Sequence, residues 1–227
     1  MGLFSKGLIR KKFLIWLMKT RFYKWLLLSI IPFVRFTTYY TSLRGDKYHM
    51  AYMMLRPGDI VLAVDKRKAT SLLIPGVMTH ASLCVARFGT LSYMLGFEMA
   101  EMTHHNFTKS HFFDICKEAD RVVILRCFDF DDYYIERMIQ KCMSFEAAHY
   151  DVAFSLGVDA LYCSELVYQS DFERRLKVDL SDLAGLGRPY ISPDGLAMAK
   201  NVTCIHDTDG LWDGLTGQEI ERRICNV

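Results

Sequence analysis

The chain is 227 residues long, 51% hydrophobic, 13% aromatic and 24% charged, which excludes wholesale disorder and fits one globular domain with an appendage. Its formal net charge of +2 averages two unlike parts: residues 1–44 hold nine Lys or Arg and no acid, leaving 19 basic against 26 acidic residues, a net of −7, in the remainder. A basic, aromatic-rich leader suits an anionic surface, whereas the acidic body argues against polyanion binding of its own, so no nucleic-acid partner is expected.

In the leader, the run Trp25–Val34 has Ser29 as its one polar residue, and Pro32 interrupts any helix through it. Ten residues fall short of the roughly 20 apolar residues of a membrane-spanning helix, and Lys24, Arg21 and Lys19 stop its extension. Arg35-Phe36-Thr37-Thr38-Tyr39-Tyr40 offers no small-residue cleavage site of a secretory signal, and Lys6 stands where a myristoylation pattern wants Ser or Thr. Two readings remain for residues 1–44. They form a basic interfacial anchor, with Phe13, Leu14, Trp16, Leu17, Phe22, Trp25 and Leu26 in contact with lipid and Lys and Arg at the headgroups. Alternatively, they are a pair of short helices packed on the domain or on a neighbouring subunit. Location is then membrane-associated or cytoplasmic, without a cleavable signal.

The body, residues 45–227, begins with a turn at Arg56-Pro57-Gly58-Asp59 that leads into Ile60–Val64, a β-branched run expected as a buried strand. Pro75-Gly76 breaks the chain, and His80–Ala86 reads as a second strand. Gly89-Thr90 is the expected tight turn into a third, Leu91–Met102, and Arg121–Arg126 makes a fourth. Four strands so closely spaced imply a small, largely antiparallel sheet, hence an α+β fold. From Asp131 to Ala148, Ile135, Met138, Ile139, Cys142 and Phe145 recur at helical spacing, with Asp131 or Asp132 as N-cap. A second helix is expected from Tyr162-Cys163 to about Phe172, with Leu166 and Val167 facing the core. From residue 181 the chain, rich in Gly, Pro and Asp, reads mostly as loop with a short helix near Pro193–Lys200.

Seven cysteines, Cys84, Cys116, Cys127, Cys142, Cys163, Cys204 and Cys225, form no CxxC pair and lack the dense spacing of a disulfide scaffold. Spacing encodes no metal site, no cofactor is expected, and apolar surroundings suit reduced thiols. Cys163 differs in heading an expected helix, where unpaired N–H groups and the dipole favour a thiolate. Acyl transfer by a thiol also needs a base and a group to orient it. His80 opens a strand, and a hairpin turning at Gly89-Thr90 brings Glu101 roughly opposite it. Glu98 is a rival for the orienting role, although a three-residue offset on a strand sends it to the other face. His104, His105 and His111 fall in a polar stretch read as an exposed loop.

Leu55-Arg56-Pro57-Gly58-Asp59-Ile60-Val61-Leu62, Thr79-His80-Ala81-Ser82-Leu83, Ala100-Glu101-Met102-Thr103 and Tyr162-Cys163-Ser164-Glu165-Leu166-Val167-Tyr168 resemble the permuted papain-like amidases of the YaeF/YiiX type, in the NlpC-type cysteine peptidase superfamily. The resemblance covers about residues 50–200 and includes Asp120–Arg126 and His149-Tyr150-Asp151 in fitting order. It implies a permuted papain-like fold for residues 45–227 and, in the order His, acid, Cys, catalytic roles for His80, Glu101 and Cys163. The expected reaction is hydrolysis of an amide, in a peptidoglycan-like peptide or another small amide, through an acyl-enzyme thioester. The backbone N–H of Cys163 and a second donor would hold the oxyanion. Two other readings stay open: a lipid-directed thiol hydrolase or acyltransferase held at a bilayer by residues 1–44, and a catalytically idle binding module.

Overall fold

The turn that opens the body is fixed by its own residues. In the computed structural model, which describes residues 20–34, 43, 45–66, 76–88, 96–182 and 188–225, Gly58 takes a φ of 88°, a region open to glycine. A Cβ there would lie 2.6 Å from Ile135. The buried Asp59 carboxylate accepts the N–H of Arg56 at 2.8 Å and both Nε and Nη2 of Arg126 at 2.7 Å, tying the turn to a strand far along the chain.

In chain order, the first elements are α1 (Arg21–Ser29), a 3-10 turn (Ile31–Phe33), α2 (Asp46–Met54), β1 (Ile60–Val64), β2 (His80–Phe88), β3 (Gly96–Thr103) and β4 (Asn106–His111). Next come α3 (Phe112–Glu118), β5 (Arg121–Cys127), α4 (Asp132–Met143), β6 (His149–Tyr150), β7 (Ala160–Leu161) and α5 (Cys163–Ser170). Last are β8 (Ser181–Asp182), β9 (Pro189–Tyr190), α6 (Pro193–Ala197), β10 (Val202–Asp207) and α7 (Gly217–Cys225). Six strands form one sheet in the order β10-β5-β1-β2-β3-β4, antiparallel at every pairing. This is an α+β fold.

Alternation along the strands divides the core. Ile60, Leu62, Ala81, Leu83, Val123 and Leu125 share one cluster with residues of α4, α5 and α6, while Val61, Ala63, Cys84, Val122 and Ile124 pack with Ala51 of α2 and with Phe112, Ile115 and Cys116 of α3. Helices on both faces are why β1 is apolar throughout instead of alternating. At one end of β5, Arg121 forms a buried two-pronged pair with Asp207 of β10 at 2.9 and 2.7 Å, its guanidinium 4.3 Å from the Trp212 ring centre.

Several expectations are corrected. The stretch with His104, His105 and His111 is not an open loop: His104 and His105 turn the chain between β3 and β4, and His111 caps α3. The tail is not mostly loop, because β10 forms a sheet edge and α7 follows it. The helix expected to reach Ala148 ends at Met143, although Phe145 beyond it is still buried. The hairpin register also differs. Ser82, not His80, lies opposite Glu101, and Ala86 lies opposite Glu98 across a bulge. The Gly89-Thr90 turn, the first part of the expected third strand, and Phe13, Leu14, Trp16 and Leu17 of the leader lie outside the described residues. Among the described residues no helix is long and apolar enough to cross a membrane.

Candidate active site

α5 starts at Cys163 because Tyr162, extended, ends the chain's approach there; Leu166 and Val167 are then buried in the core, and Ser170 donates to the Leu166 carbonyl at 2.6 Å. The helix is seated by residues of the tail: Ser164 Oγ donates to the Ile191 carbonyl, and the Ile191 N–H donates to Tyr162 Oη, both at 2.8 Å. Cys163 is therefore 2% exposed at a helix N-terminus, where the N–H groups of Ser164 and of Ala81 in β2 hydrogen-bond its sulfur.

His80 enters β2 beside that sulfur and hydrogen-bonds it through its side chain. Its Nε2 lies 2.5 Å from Glu101 Oε2, which leaves Nδ1 as the nitrogen that meets the thiol. Glu101 is opposite Ser82, and residues 80 and 82 share a face, so the contact is a diagonal one across the ladder. The other carboxylate oxygen accepts from Ser110 Oγ of β4 at 2.5 Å, which fixes the carboxylate plane. Asp194 of α6 accepts the N–H groups of Val77 and Met78 at 2.7 and 2.8 Å, pinning the segment that delivers His80.

Charge at this site is paired. Burial disfavours a charged imidazole, but the hydrogen bonds it donates to Cys163 and Glu101 and their negative charge outweigh it and raise the His80 pKa. Burial likewise disfavours a charged sulfur, yet the His80 hydrogen bond and positive charge, with the Ala81 and Ser164 N–H groups, bring the Cys163 pKa below that of an ordinary thiol. Both shifts, His80 upward and Cys163 downward, run in the direction that favours a thiolate–imidazolium pair. The other buried thiols go the opposite way: burial raises Cys84, Cys116 and Cys127, and pushes Cys142 up to about 11 and Cys204 to about 12.

The structure thus brings Cys163, His80 and Glu101 together. Glu98 alternates to the other face of β3, whereas His104 and His105 lie in the turn after it and His111 at the start of α3. Two residues escaped the sequence reading. Ser110 sat in a segment too polar to be recognised as a strand, and Tyr150 is separated from the trio in sequence. The Tyr150 phenol is held protonated by burial first and by the nearby Cys163 sulfur second, and its backbone N–H donates to Asn106 Oδ1 at 3.1 Å. The signal for Tyr150 was its place in His149-Tyr150-Asp151, ahead of the cysteine motif.

A sulfur, an imidazole and a carboxylate in one line, on a helix N-terminus and an antiparallel sheet, define the papain-like class of cysteine hydrolase sites. The chain belongs to the family described as permuted papain-like amidase enzyme, YaeF/YiiX, C92 family, which matches residues 54–214. The crystal structure described as metalloprotein yiiX from Escherichia coli O157:H7 is similar in fold, with a TM-score of 0.57 at 16% identity over 67% of this chain and 97% of that one. No curated protein sequence matches significantly. Among the described residues no group of three or more His, Cys, Asp or Glu side chains is placed to hold a metal ion.

Proposed function

We propose that the protein is a cysteine amidase whose Cys163 attacks an amide carbonyl, with His80 as base and acid and Glu101 as the group that orients the imidazole. The 2.5 Å contact between His80 Nε2 and Glu101, on an imidazole that also hydrogen-bonds Cys163, carries this reading. The thiolate adds to the carbonyl carbon, and the oxyanion is held by the Cys163 backbone N–H with the Tyr150 hydroxyl as second donor. Collapse breaks the C–N bond as His80 gives its proton to the departing amine, leaving an acyl thioester on Cys163. His80 then takes a proton from water, which attacks the thioester and frees the acid and the thiolate. Glu101 keeps the imidazole in the tautomer that presents Nδ1 to the sulfur.

The test is a screen of amide and ester substrates with the wild type, Cys163→Ala and Glu101→Gln. Turnover and a mass increment on Cys163 are expected from the wild type and neither from Cys163→Ala, while Glu101→Gln should lose on the order of 100- to 10,000-fold, the size of effect expected when the base loses its orienting carboxylate. Hydrolysis that survives Cys163→Ala overturns the proposal. The exposed apolar face of α1 favours a second reading, a lipid-directed thiol hydrolase; release of fatty acid from phospholipid instead of amine from a peptide would select it.

A further inference from the structure

α1 is split into two faces. Tyr23 packs against the main core cluster, while Phe22 and Trp25, three residues apart and so on one side of the helix, stand 64% and 52% exposed with their ring centres 6.0 Å apart. Ile30, Phe33 and Val34 extend the exposed apolar surface past the end of the helix, Phe33 being 68% exposed. Five exposed large apolar side chains within thirteen residues, two of them paired aromatic rings, are costly to leave in water and mark a docking surface. Its occupant is indicated by charge: residues 1–44 hold nine Lys or Arg and no acid, against a net of −7 elsewhere. Aromatic side chains interleaved with uncompensated basic residues match an anionic lipid interface, where rings enter the headgroup–acyl boundary and cations meet the phosphates.

We infer that the outer face of α1 and the turn after it dock the protein on anionic membrane lipid. The same segment reaches the neighbourhood of the candidate site. Phe33 packs edge-on against His104 at 5.4 Å, and His104 follows Glu101 by three residues. Asn106, the first residue of β4 after that turn, accepts the backbone N–H of Tyr150. Docking through this face therefore sets the β3–β4 end of the sheet toward the lipid. The inference concerns a surface and stands apart from the chemistry at Cys163.

The experiment is co-sedimentation of the full chain with vesicles of zwitterionic lipid alone or mixed with a phosphatidylserine-type lipid, comparing the wild type with Phe22→Ser/Trp25→Ser. Each basic residue at an anionic surface contributes about fivefold, so at low salt partition onto anionic vesicles should exceed that onto zwitterionic ones by at least tenfold, and fall as salt is raised. Each half-exposed ring buries enough apolar area for roughly tenfold in partition, so the double variant should lose on the order of 100-fold. Both substituted side chains are exposed, and an unchanged circular dichroism spectrum and melting temperature establish that the variant is folded. Equal partition onto the two vesicle types, or a variant that binds like the wild type, overturns the inference. So does a wild type that ignores vesicles but forms a dimer that the variant cannot, since this face is then a contact between copies. Binding to single-stranded nucleic acid in preference to vesicles overturns it as well.

Discussion

The thiolate–imidazolium pair makes a prediction that needs no substrate: Cys163 should be alkylated by iodoacetamide at a rate that rises less steeply with pH than that of an ordinary thiol. An ordinary thiol, with a pKa of about 8.5, is about 1% thiolate at pH 6.5 and half thiolate at pH 8.5, so its rate climbs roughly 50-fold over that range. The His80 hydrogen bond and positive charge lower the Cys163 pKa, so its rate should climb several-fold less than that of an ordinary thiol over this range. Absolute speed discriminates less well. Lowering a thiol's pKa blunts its nucleophilicity with a slope of about 0.4–0.5, so at pH 6.5 the net advantage over an ordinary thiol is at most about tenfold. The shallower profile should persist until His80 loses its proton, at about 10. Peptide-resolved mass spectrometry reads Cys163 against the exposed Cys225 in one sample, and the five other thiols, whose pKa values burial raises, should react far more slowly than Cys163 in the folded protein. In His80→Ala the steep profile of an ordinary thiol should return. A wild-type Cys163 whose rate rises 50-fold between pH 6.5 and 8.5, or a His80→Ala profile identical to that of the wild type, would refute the reasoning.

Two further outcomes concern stability. Arg121→Met strands the buried Asp207 carboxylate and removes the cation from Trp212, so urea unfolding should show a loss of about 3–5 kcal/mol, part of which Asp207→Asn recovers in the double variant; a single-variant loss below about 1 kcal/mol contradicts this. Glu165 is fully buried, and burial pushes its carboxyl up to about 7 against the opposing bonds from Gly157 and Gln169. The fold thus keeps a proton that the unfolded chain gives up, so this residue's contribution falls as pH rises from about 4.5 to 7 and is flat above. At 1.36 kcal/mol per pH unit the range is about 3 kcal/mol, so Glu165→Gln should be the more stable protein at pH 8 by up to that amount, and an unaltered pH slope between 4.5 and 7 would count against the assignment.

What could be read from the residues depended on how far each element is specified locally. β1, β2, β5, α4 and α5 are buried on a strong apolar pattern with caps or turns beside them, and the sequence showed them. β4 is an edge strand of Asn, Phe, Thr, Lys, Ser and His, half-buried at most, so no hydrophobic alternation marks it. In β10 the alternation is broken by a bulge between Cys204 and His206, and α7 has only Ile220 and Ile224 as aliphatic residues to trace a stripe. The hairpin register failed for a similar reason. A bulge between Cys84 and Ala86 and a register that sets Phe88 opposite Gly96 moved every pair, yet Glu101 still reached His80 because a displacement of two residues along a strand preserves the face. The trio was legible as chemistry, while Ser110 carries no motif of its own and Tyr150 showed only as part of His149-Tyr150-Asp151, with nothing local to assign it to the site.

That difference bears on how the site is assembled. Cys163 and His80 sit on elements far apart in the chain, and although α5 packs on β2 with the Ala81 N–H on the sulfur, each also needs a support that fixes its position along that contact. The segment that does so is the one that looked least informative: Ile191 holds both Tyr162 and Ser164 on either side of the sulfur, and Asp194, three residues on, holds the backbone of Val77 and Met78 just before the imidazole. A Cβ at Gly76 would lie 2.3 Å from an Asp194 carboxylate oxygen, so the clamp closes directly on main chain. Since a misplacement of about 1 Å costs on the order of 100-fold in an oriented reaction, the four residues from Ile191 to Asp194 act as the common mount of nucleophile and base. In a permuted chain the tail inherits this task because the helix bearing the nucleophile comes after the strands bearing its partners. The structure joins the two halves of the site through a loop and a short helix in addition to the direct packing of α5 on the sheet.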